Sequence, residues 1–137
     1  MKPKSYLADT HCLLWFLDDH PNLPRGVLAE MQEPDNDIVF SQISLFEIAI
    51  KQKIGKLPDF TAELDAIYHQ SLRAGFRFLP IQNAHLFGYH KIPLFEQHRD
   101  PFDRLLLASA YQENLILLSA DNHFALYEQW VQVFWPQ

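Results

Sequence analysis

The chain has 137 residues, of which 48% are hydrophobic and 20% are charged, and its formal net charge is -6. This length and composition are typical of one folded domain with a sizeable core, so we expect a single domain over residues 1–137. The acidic balance argues against binding of nucleic acid through a broad basic surface. The single cysteine, Cys12, excludes an internal disulfide and suits a reducing compartment.

Signals for export or membrane insertion are not evident in the sequence. No apolar run has the length of a membrane span, and none follows the first lysines at the length that a signal peptide needs. We therefore expect a cytoplasmic protein that has no membrane partner.

Predicted strands and helices alternate along the chain. Short apolar runs bounded by turn residues predict strands, and apolar residues at helical spacing predict helices. The predicted strands cover residues 5–8, 38–40, 76–79, 115–119 and 131–135. The predicted helices cover residues 12–17, 24–31, 44–54, 61–74, 83–90 and 101–114, with a short helical turn over 123–127.

The predicted strands read as continuous apolar runs, which is typical of strands buried on both faces of a parallel sheet. Alternation of such strands with helices predicts an α/β protein, a three-layer α/β/α fold around a central, mostly parallel sheet. In folds of this kind, ligands bind beyond the carboxyl ends of the strands, close to helix N-termini.

Two helix starts carry recognisable polar motifs. Ser44 and Glu47 match the S-x-x-E pattern of a capping box. Asp100 is placed to cap the helix that begins with Pro101, a favoured first residue. Asp103 then falls in the first turn, where the helix dipole stabilises a carboxylate.

Four acids fall at strand ends or helix starts and would share one edge of the sheet: Asp9, Glu47, Asp103 and Asp121. Each has an ordinary structural explanation, as a cap, a turn former or, for Glu47, an i,i+4 partner of Lys51. Together they would repel one another without a cation, and carboxylate oxygens favour Mg²⁺ or Mn²⁺. Metal-dependent phosphodiester hydrolysis is the reaction class that this set suggests.

Four segments, in this order, resemble the PIN-domain ribonucleases, and most of all the VapC-like toxins of bacterial toxin–antitoxin pairs. The segments are Leu7-Ala8-Asp9-Thr10-His11 with Leu14-Trp15, Ser44-Leu45-Phe46-Glu47-Ile48-Ala49-Ile50-Lys51 with Gly55-Lys56-Leu57, His98-Arg99-Asp100-Pro101-Phe102-Asp103-Arg104, and Leu118-Ser119-Ala120-Asp121. The resemblance implies a PIN-like fold and a Mg²⁺- or Mn²⁺-dependent endoribonuclease acting on RNA. It also implies a homodimer and a small antitoxin protein whose C-terminal segment occupies the active-site groove.

The same resemblance assigns roles to individual residues. It implies that Asp9, Glu47 and Asp103 bind metal, that Asp121 is a fourth, more variable acid, and that hydroxyls at two further positions support the acids. Those two hydroxyl positions are Thr10 and Ser119.

Several assignments stay open at the level of sequence. Asp100 competes with Asp103 as the third metal ligand, although the apolar helix that follows Asp103 favours the latter. Arg99 and Arg104 would either contact phosphate or pair with acids. His11 and His98 lie near the acids in a supporting or a purely structural role, while the histidine spacings fit no usual zinc pattern.

Two other functional classes compete with a nuclease. One is a catalytically inactive PIN-fold module that binds RNA or protein, which the presence of all four acids disfavours. The other is a receiver-like signalling domain, which would need adjacent acids near the first strand and a late lysine. The chain has one acid there, Asp9, and its last lysine is Lys91, which argues against a receiver domain.

Overall fold

The computed structural model describes residues 2–136. Its strands are β1 (Ser5–Ala8), β2 (Asp37–Ser41), β3 (Arg77–Leu79), β4 (Ile116–Leu118) and β5 (Val133–Phe134). Its helices are α1 (Thr10–Leu17), α2 (Arg25–Gln32), α3 (Gln42–Lys53), α4 (Leu64–Arg73), α5 (Asn83–Lys91) and α6 (Pro101–Glu113), with a 3₁₀ helix over Asn122–Tyr127. Within these residues, no helix is both long enough and apolar enough to cross a membrane.

The five strands form one sheet in the order β3-β2-β1-β4-β5, and every neighbouring pair is parallel. In the central strand, Ala8 lies opposite Phe40 of β2 and Leu118 of β4. The carboxyl ends of β1, β2 and β4 therefore meet at one edge of the sheet. The residues that follow these strands are brought together there, as the alternation of elements predicts.

Helices cover both faces of the sheet, and the pleat of β1 shows how. Tyr6 and Ala8 pack into one apolar cluster with Cys12 of α1 and Val27 of α2. Leu7 points the other way, into a second cluster that includes Leu107 of α6. Successive side chains of a strand face opposite sides, so a strand buried on both sides needs two helical layers. The predicted three-layer α/β/α architecture is confirmed.

The start of α3 differs from its prediction. Ser41, with an extended backbone (φ -97°, ψ 148°), is the N-cap, and its Oγ accepts from the backbone N–H of Ile43 at 3.0 Å. The capping box predicted for Ser44 and Glu47 is therefore wrong, because β2 passes directly into the helix and the last strand residue takes the cap. Glu47 consequently lies in the second turn of α3 rather than in the first.

Two further element boundaries, those of α4 and β5, differ from their predicted positions. Helix α4 begins at Leu64 rather than Thr61, because Gln52 Nε2 donates to the carbonyls of Phe60 and Ala62 and holds this segment as a loop. The last strand is shorter than predicted, since the backbone N–H of Val131 turns back to the carbonyl of Tyr127. Neither shift changes the topology.

Helix α6 begins and ends as its sequence predicts. Asp100 Oδ1 accepts from the backbone N–H groups of Phe102 (2.8 Å) and Asp103 (3.1 Å), and Pro101 is the first helical residue. The helix stops at Asn114, which has the left-handed conformation (φ 56°) that commonly ends helices. Its first turn thus holds Asp103 at a fixed place at the sheet edge.

Candidate active site

A cavity of about 380 Å³ lies at the carboxyl edge of the sheet, and all four predicted acids line it. Asp9 follows β1, Glu47 projects from α3, Asp103 from the first turn of α6, and Asp121 follows β4. The remaining lining residues in the described part of the chain are Thr10, His11, Trp15, Lys51, Asp100 and Ala120.

Asp9 is both a helix cap and a wall of this cavity. Its Oδ1 accepts from the backbone N–H of Cys12 at 2.8 Å, which makes it the N-cap of α1. Burial raises its pKa to about 6, with smaller contributions from the charges of Glu47 and Asp121. Hydrogen bonds from Ser119 and Cys12 act in the opposite direction and favour the ionised form. Asp9 therefore caps α1 and also lines the cavity.

Glu47 has a partner for each carboxylate oxygen. Its side chain is buried, with Oε1 accepting from Thr10 Oγ1 at 2.6 Å and Oε2 paired with Lys51 Nζ at 2.9 Å. Thr10 Oγ1 also lies 3.0 Å from Ser44 Oγ. The i,i+4 pairing of Glu47 with Lys51 is thus present, and the lysine reaches into the cavity instead of lying on a fully solvated face.

Asp103 and Asp100 line the same cavity but make different contacts. Asp100 is exposed and uses Oδ1 for the cap of α6. Asp103 is partly buried, and its Oδ2 lies 3.3 Å from His98 Nε2. Burial raises the pKa of Asp103 to about 6, the charge of Asp100 adds to this, and the charges of Glu47 and Asp121 contribute less.

Asp121 caps the 3₁₀ helix, since its Oδ1 accepts from the backbone N–H of His123 at 2.9 Å. The ring Nδ1 of His123 lies 2.9 Å from the same oxygen. Ser119 is buried, and its Oγ accepts from the backbone N–H of Asp121 at 3.0 Å. Ser119 therefore supports the backbone at Asp121, the acid that follows β4.

The two arginines of the α6 motif lie outside the cavity lining within residues 2–136. Arg99 is exposed. Arg104 is 3% exposed, and its guanidinium donates to the carbonyls of Pro93 (2.9 Å) and Ile92 (3.4 Å) and to the hydroxyl of Tyr127 (3.1 Å). Among the described residues, Arg104 therefore neither lines the cavity nor pairs with an acid. Arg104 lies on the buried side of α6, where these uncharged oxygens accept the hydrogen bonds of its guanidinium.

Histidine and tyrosine contacts were not predictable in detail. His98 Nε2 and single oxygens of Asp103 and Asp121 all lie within 4.8 Å of one another. His98 Nδ1 lies 2.9 Å from the hydroxyl of Tyr127, a contact across 29 positions that no sequence motif marks. His85, in contrast, is buried, with Nε2 lying 2.9 Å from Glu113 Oε2 and Nδ1 accepting from the backbone N–H of Gln82, the N-cap of α5, at 3.2 Å. His11 lines the cavity, where burial and then the charge of Lys51 lower its pKa.

The donor set fits a hard divalent cation. Five carboxylates, those of the four predicted acids and of Asp100, line one small space. Two of them, Asp9 and Asp103, have raised pKa values because burial and like charges disfavour ionisation. A bound cation would remove this penalty, and oxygen donors select Mg²⁺ or Mn²⁺ over softer metals. Cys12, the one cysteine, is fully buried and its pKa is raised by burial, so it offers no thiolate.

A scan against protein-family models matches the PIN domain over residues 6–128. The match covers most of the chain, including all four predicted acids, and the all-parallel five-stranded sheet agrees with it. The chain belongs to the PIN-domain family. A search of curated proteins found no significant match.

Solved structures with the same fold include VapBC and FitAcB structures. VapBC2 from Rickettsia felis, bound to a promoter DNA fragment, matches with a TM-score of 0.69 at 18% identity, covering 95% of this chain and 97% of that chain. FitAcB from Neisseria gonorrhoeae matches with a TM-score of 0.63 at 20% identity, covering 96% and 97%. VapBC-1 from nontypeable Haemophilus influenzae matches with a TM-score of 0.64 at 17% identity, covering 95% and 96%. At these identities the likeness concerns the fold.

Proposed function

We propose that this PIN-domain protein is a metal-dependent endoribonuclease that hydrolyses RNA phosphodiester bonds and acts as the toxin of a toxin–antitoxin pair. The observation that carries the proposal is the convergence of Asp9, Glu47, Asp103 and Asp121 on one cavity. A PIN domain with a decayed site would have little use for four such carboxylates, each of which adds to the repulsion within the cavity.

The four carboxylates would hold Mg²⁺ or Mn²⁺. Such an ion lowers the pKa of water and stabilises the charge that develops on phosphate oxygens. The protein's own groups supply the rest: Thr10 orients Glu47, the caps of α1 and α6 fix the backbones of Asp9 and Asp103, and Lys51 offers positive charge to an approaching phosphate. Local binding of this kind agrees with an overall charge of -6.

Cleavage of total cellular RNA tests this proposal. The purified chain is incubated with Mg²⁺, with EDTA, and as the Asp103→Asn variant. We expect discrete cuts that EDTA prevents and that the variant lacks, because the variant keeps the shape of the side chain but loses its charge. Asp35→Asn is the matched control, since Asp35 is an exposed acid in the turn before β2, outside the cavity.

Absence of cleavage by a folded wild-type chain that still binds Mn²⁺ would contradict the nuclease proposal. That result would favour the inactive RNA- or protein-binding module. Loss of activity in Asp35→Asn as well would show that the assay responds to surface charge rather than to the cavity.

We propose two protein partners, a small antitoxin and a second copy of the chain. We also propose that the protein is a single domain and is cytoplasmic. The structural neighbours named VapBC and FitAcB support an antitoxin, because those structures contain two components.

Expression of the chain alone in a bacterial host is expected to arrest growth. The Asp9→Asn variant, expressed to the same level, is expected to leave growth normal, and arrest by both would exclude the cavity as the cause.

A further inference from the structure

His98 connects the candidate site to the protein core. It precedes α6, is 4% exposed, and its ring lies edge-on to Phe124 and Tyr127 while stacking on His123. One ring nitrogen, Nε2, lies 3.3 Å from Asp103 Oδ2, and the other, Nδ1, lies 2.9 Å from the hydroxyl of Tyr127. A buried imidazole therefore joins a cavity carboxylate to a core phenol.

The Tyr127 hydroxyl determines where the protons lie. Tyr127 is fully buried, and within residues 2–136 its oxygen lies within hydrogen-bond distance of Arg104 Nη1 (3.1 Å) and His98 Nδ1. Arginine can only donate, so the phenol proton has one acceptor available, His98 Nδ1. Buried hydroxyls nearly always find an acceptor, because an unsatisfied one is costly. His98 Nδ1 therefore carries no proton and accepts from Tyr127, and the ring proton is on Nε2, which faces Asp103.

Arg104 anchors this arrangement at its far end. Its guanidinium is held by the carbonyls of Pro93 and Ile92, and it lies over the ring of Tyr89 at 4.8 Å. These contacts fix the group that donates to Tyr127 Oη. The donors then run in one direction, from Arg104 to Tyr127, from Tyr127 to His98, and from His98 to Asp103.

We propose that His98 is a positioning residue for Asp103, kept in its Nε2–H form by Tyr127 and Arg104. This inference rests on the proposed function, because the direction of the Asp103 carboxylate matters only if it holds a cation. The alternative is that His98 is itself a metal ligand, as its 4.8 Å grouping with Asp103 and Asp121 would allow. A protonated Nε2 has no lone pair to offer, so the two roles exclude each other.

Nitrogen NMR of the imidazole ring distinguishes the two roles. In the metal-free wild-type protein, the neutral His98 ring is expected to carry its proton on Nε2 and none on Nδ1. Addition of Mg²⁺ is expected to leave the Nε2 proton in place. A proton on Nδ1, or loss of the Nε2 proton on adding Mg²⁺, would overturn the proposal.

Substitution of the two tyrosines that contact Arg104 tests the positioning effect. Tyr127→Phe keeps the ring but removes the donor to His98. Tyr89→Phe removes the other hydroxyl near Arg104, 3.3 Å from its Nε, and leaves His98 untouched. Mn²⁺ affinity, read from the electron paramagnetic resonance of the free ion, is expected to weaken about 10-fold in Tyr127→Phe. In Tyr89→Phe it is expected to stay as in the wild type.

Kinetics and folding complete the test. Because Tyr127 does not line the cavity, its loss should lower kcat at subsaturating Mn²⁺ while leaving KM for RNA unchanged. Equal Mn²⁺ affinity in both tyrosine variants, with both folded by circular dichroism, would contradict positioning. If the wild type binds no Mn²⁺, the proposed function fails, whereas the NMR result in the metal-free protein still decides the proton arrangement.

Discussion

Asp9 caps α1 and also lines a cavity that contains other carboxylates, and these two placements affect the stability of the protein in opposite directions. The cap stabilises α1 by satisfying the N–H of Cys12. The burial and neighbouring charges that raise its pKa to about 6 destabilise the ionised form. Single residues of the site therefore carry a stability cost that a bound cation would offset.

Removal of the Asp9 charge is expected to stabilise the metal-free protein at neutral pH. The pKa of Asp9 in the folded protein, about 6, lies above the ordinary value of 3.8. The folded state therefore binds the proton more tightly than the unfolded state, and this contribution to stability is fully present below pH 3.8 and is lost as the pH rises through 6. Asp9→Asn keeps a capping side chain and does not titrate. In EDTA, its Tm should exceed that of the wild type at about pH 7.5 and approach it at about pH 4.5.

The same comparison with Mn²⁺ present should reverse the order at neutral pH, because a ligand stabilises the chain that binds it. A lower Tm for Asp9→Asn in EDTA at both pH values would show that the cap interaction, and not charge repulsion, dominates at this residue.

Lys51 is the only lysine or arginine among the described residues that line the cavity. Lys51→Gln is expected to raise KM for RNA several-fold, since it removes the positive charge nearest to an incoming phosphate. Mn²⁺ affinity should stay equal or increase, because the negative potential around Glu47 grows. Lys53→Gln on the exposed side of α3 is the matched control, and the same KM change in both variants would argue against a specific role for Lys51.

At the scale of elements, the site is built from the ends of strands and the beginnings of helices. The caps of α1, α6 and the 3₁₀ helix are all aspartates of the cavity, namely Asp9, Asp100 and Asp121. Because a cap side chain must turn toward the helix N-terminus, the capping geometry brings carboxylates to the sheet edge. Helix α3 is the exception, since Ser41 caps it and Glu47 enters from the second turn.

Substitutions at Asp100 and Asp103 are expected to separate capping from metal binding. Asp100→Asn keeps a capping oxygen and should change Mn²⁺ affinity and stability little. Asp100→Ala removes the bonds to Phe102 and Asp103 and should cost about 1 kcal/mol of unfolding free energy. Asp103→Asn should abolish Mn²⁺ binding in a folded protein, measured by calorimetry. Loss of binding in Asp100→Asn with retention in Asp103→Asn would assign the ligand role to Asp100 instead.

At the scale of the whole molecule, the acids are spread over the chain but share one edge of a parallel sheet. A second feature at this scale is an apolar surface on α5, where Phe87 is 64% and Leu86 is 50% exposed. Exposed apolar residues of this size, when contiguous, mark protein interfaces. They support the proposed homodimer or antitoxin contact and lie on a helix that packs against α6.

Phe87→Asp is expected to shift the chain toward monomer in sedimentation equilibrium, because it places a charge in the proposed contact. Leu72→Asp is the matched control, as Leu72 is 40% exposed on α4, whose Tyr68 packs on the other face of the sheet. A wild-type chain that is monomeric at all concentrations, or equal dissociation by both variants, would contradict a dimer through α5.

Most of the fold was predictable because its signals are local. Continuous apolar runs identified four of the five strands to within about two residues, and Gly55, Gly75 and Asn114 ended helices with the positive φ angles such ends favour. The fifth strand was predicted too long, since the backbone N–H of Val131 bonds to the carbonyl of Tyr127 and not to the sheet. The cap of α3 was misplaced because Ser41 and Ser44 are equally good caps in sequence, and only the length of β2 chooses between them.

The sequence by itself determined the parallel α/β architecture and the sharing of one sheet edge by the four predicted acids. Both follow from local patterns, namely continuous apolar runs and acids placed at strand ends or helix starts. Tertiary structure alone decided which polar groups meet. It turned Arg104 inward to neutral oxygens, brought Lys51 to the cavity, and joined His98 to Tyr127 across 29 positions. Hydrogen bonds of this kind depend on side-chain direction and on the packing of distant elements, and neither is encoded in any short motif.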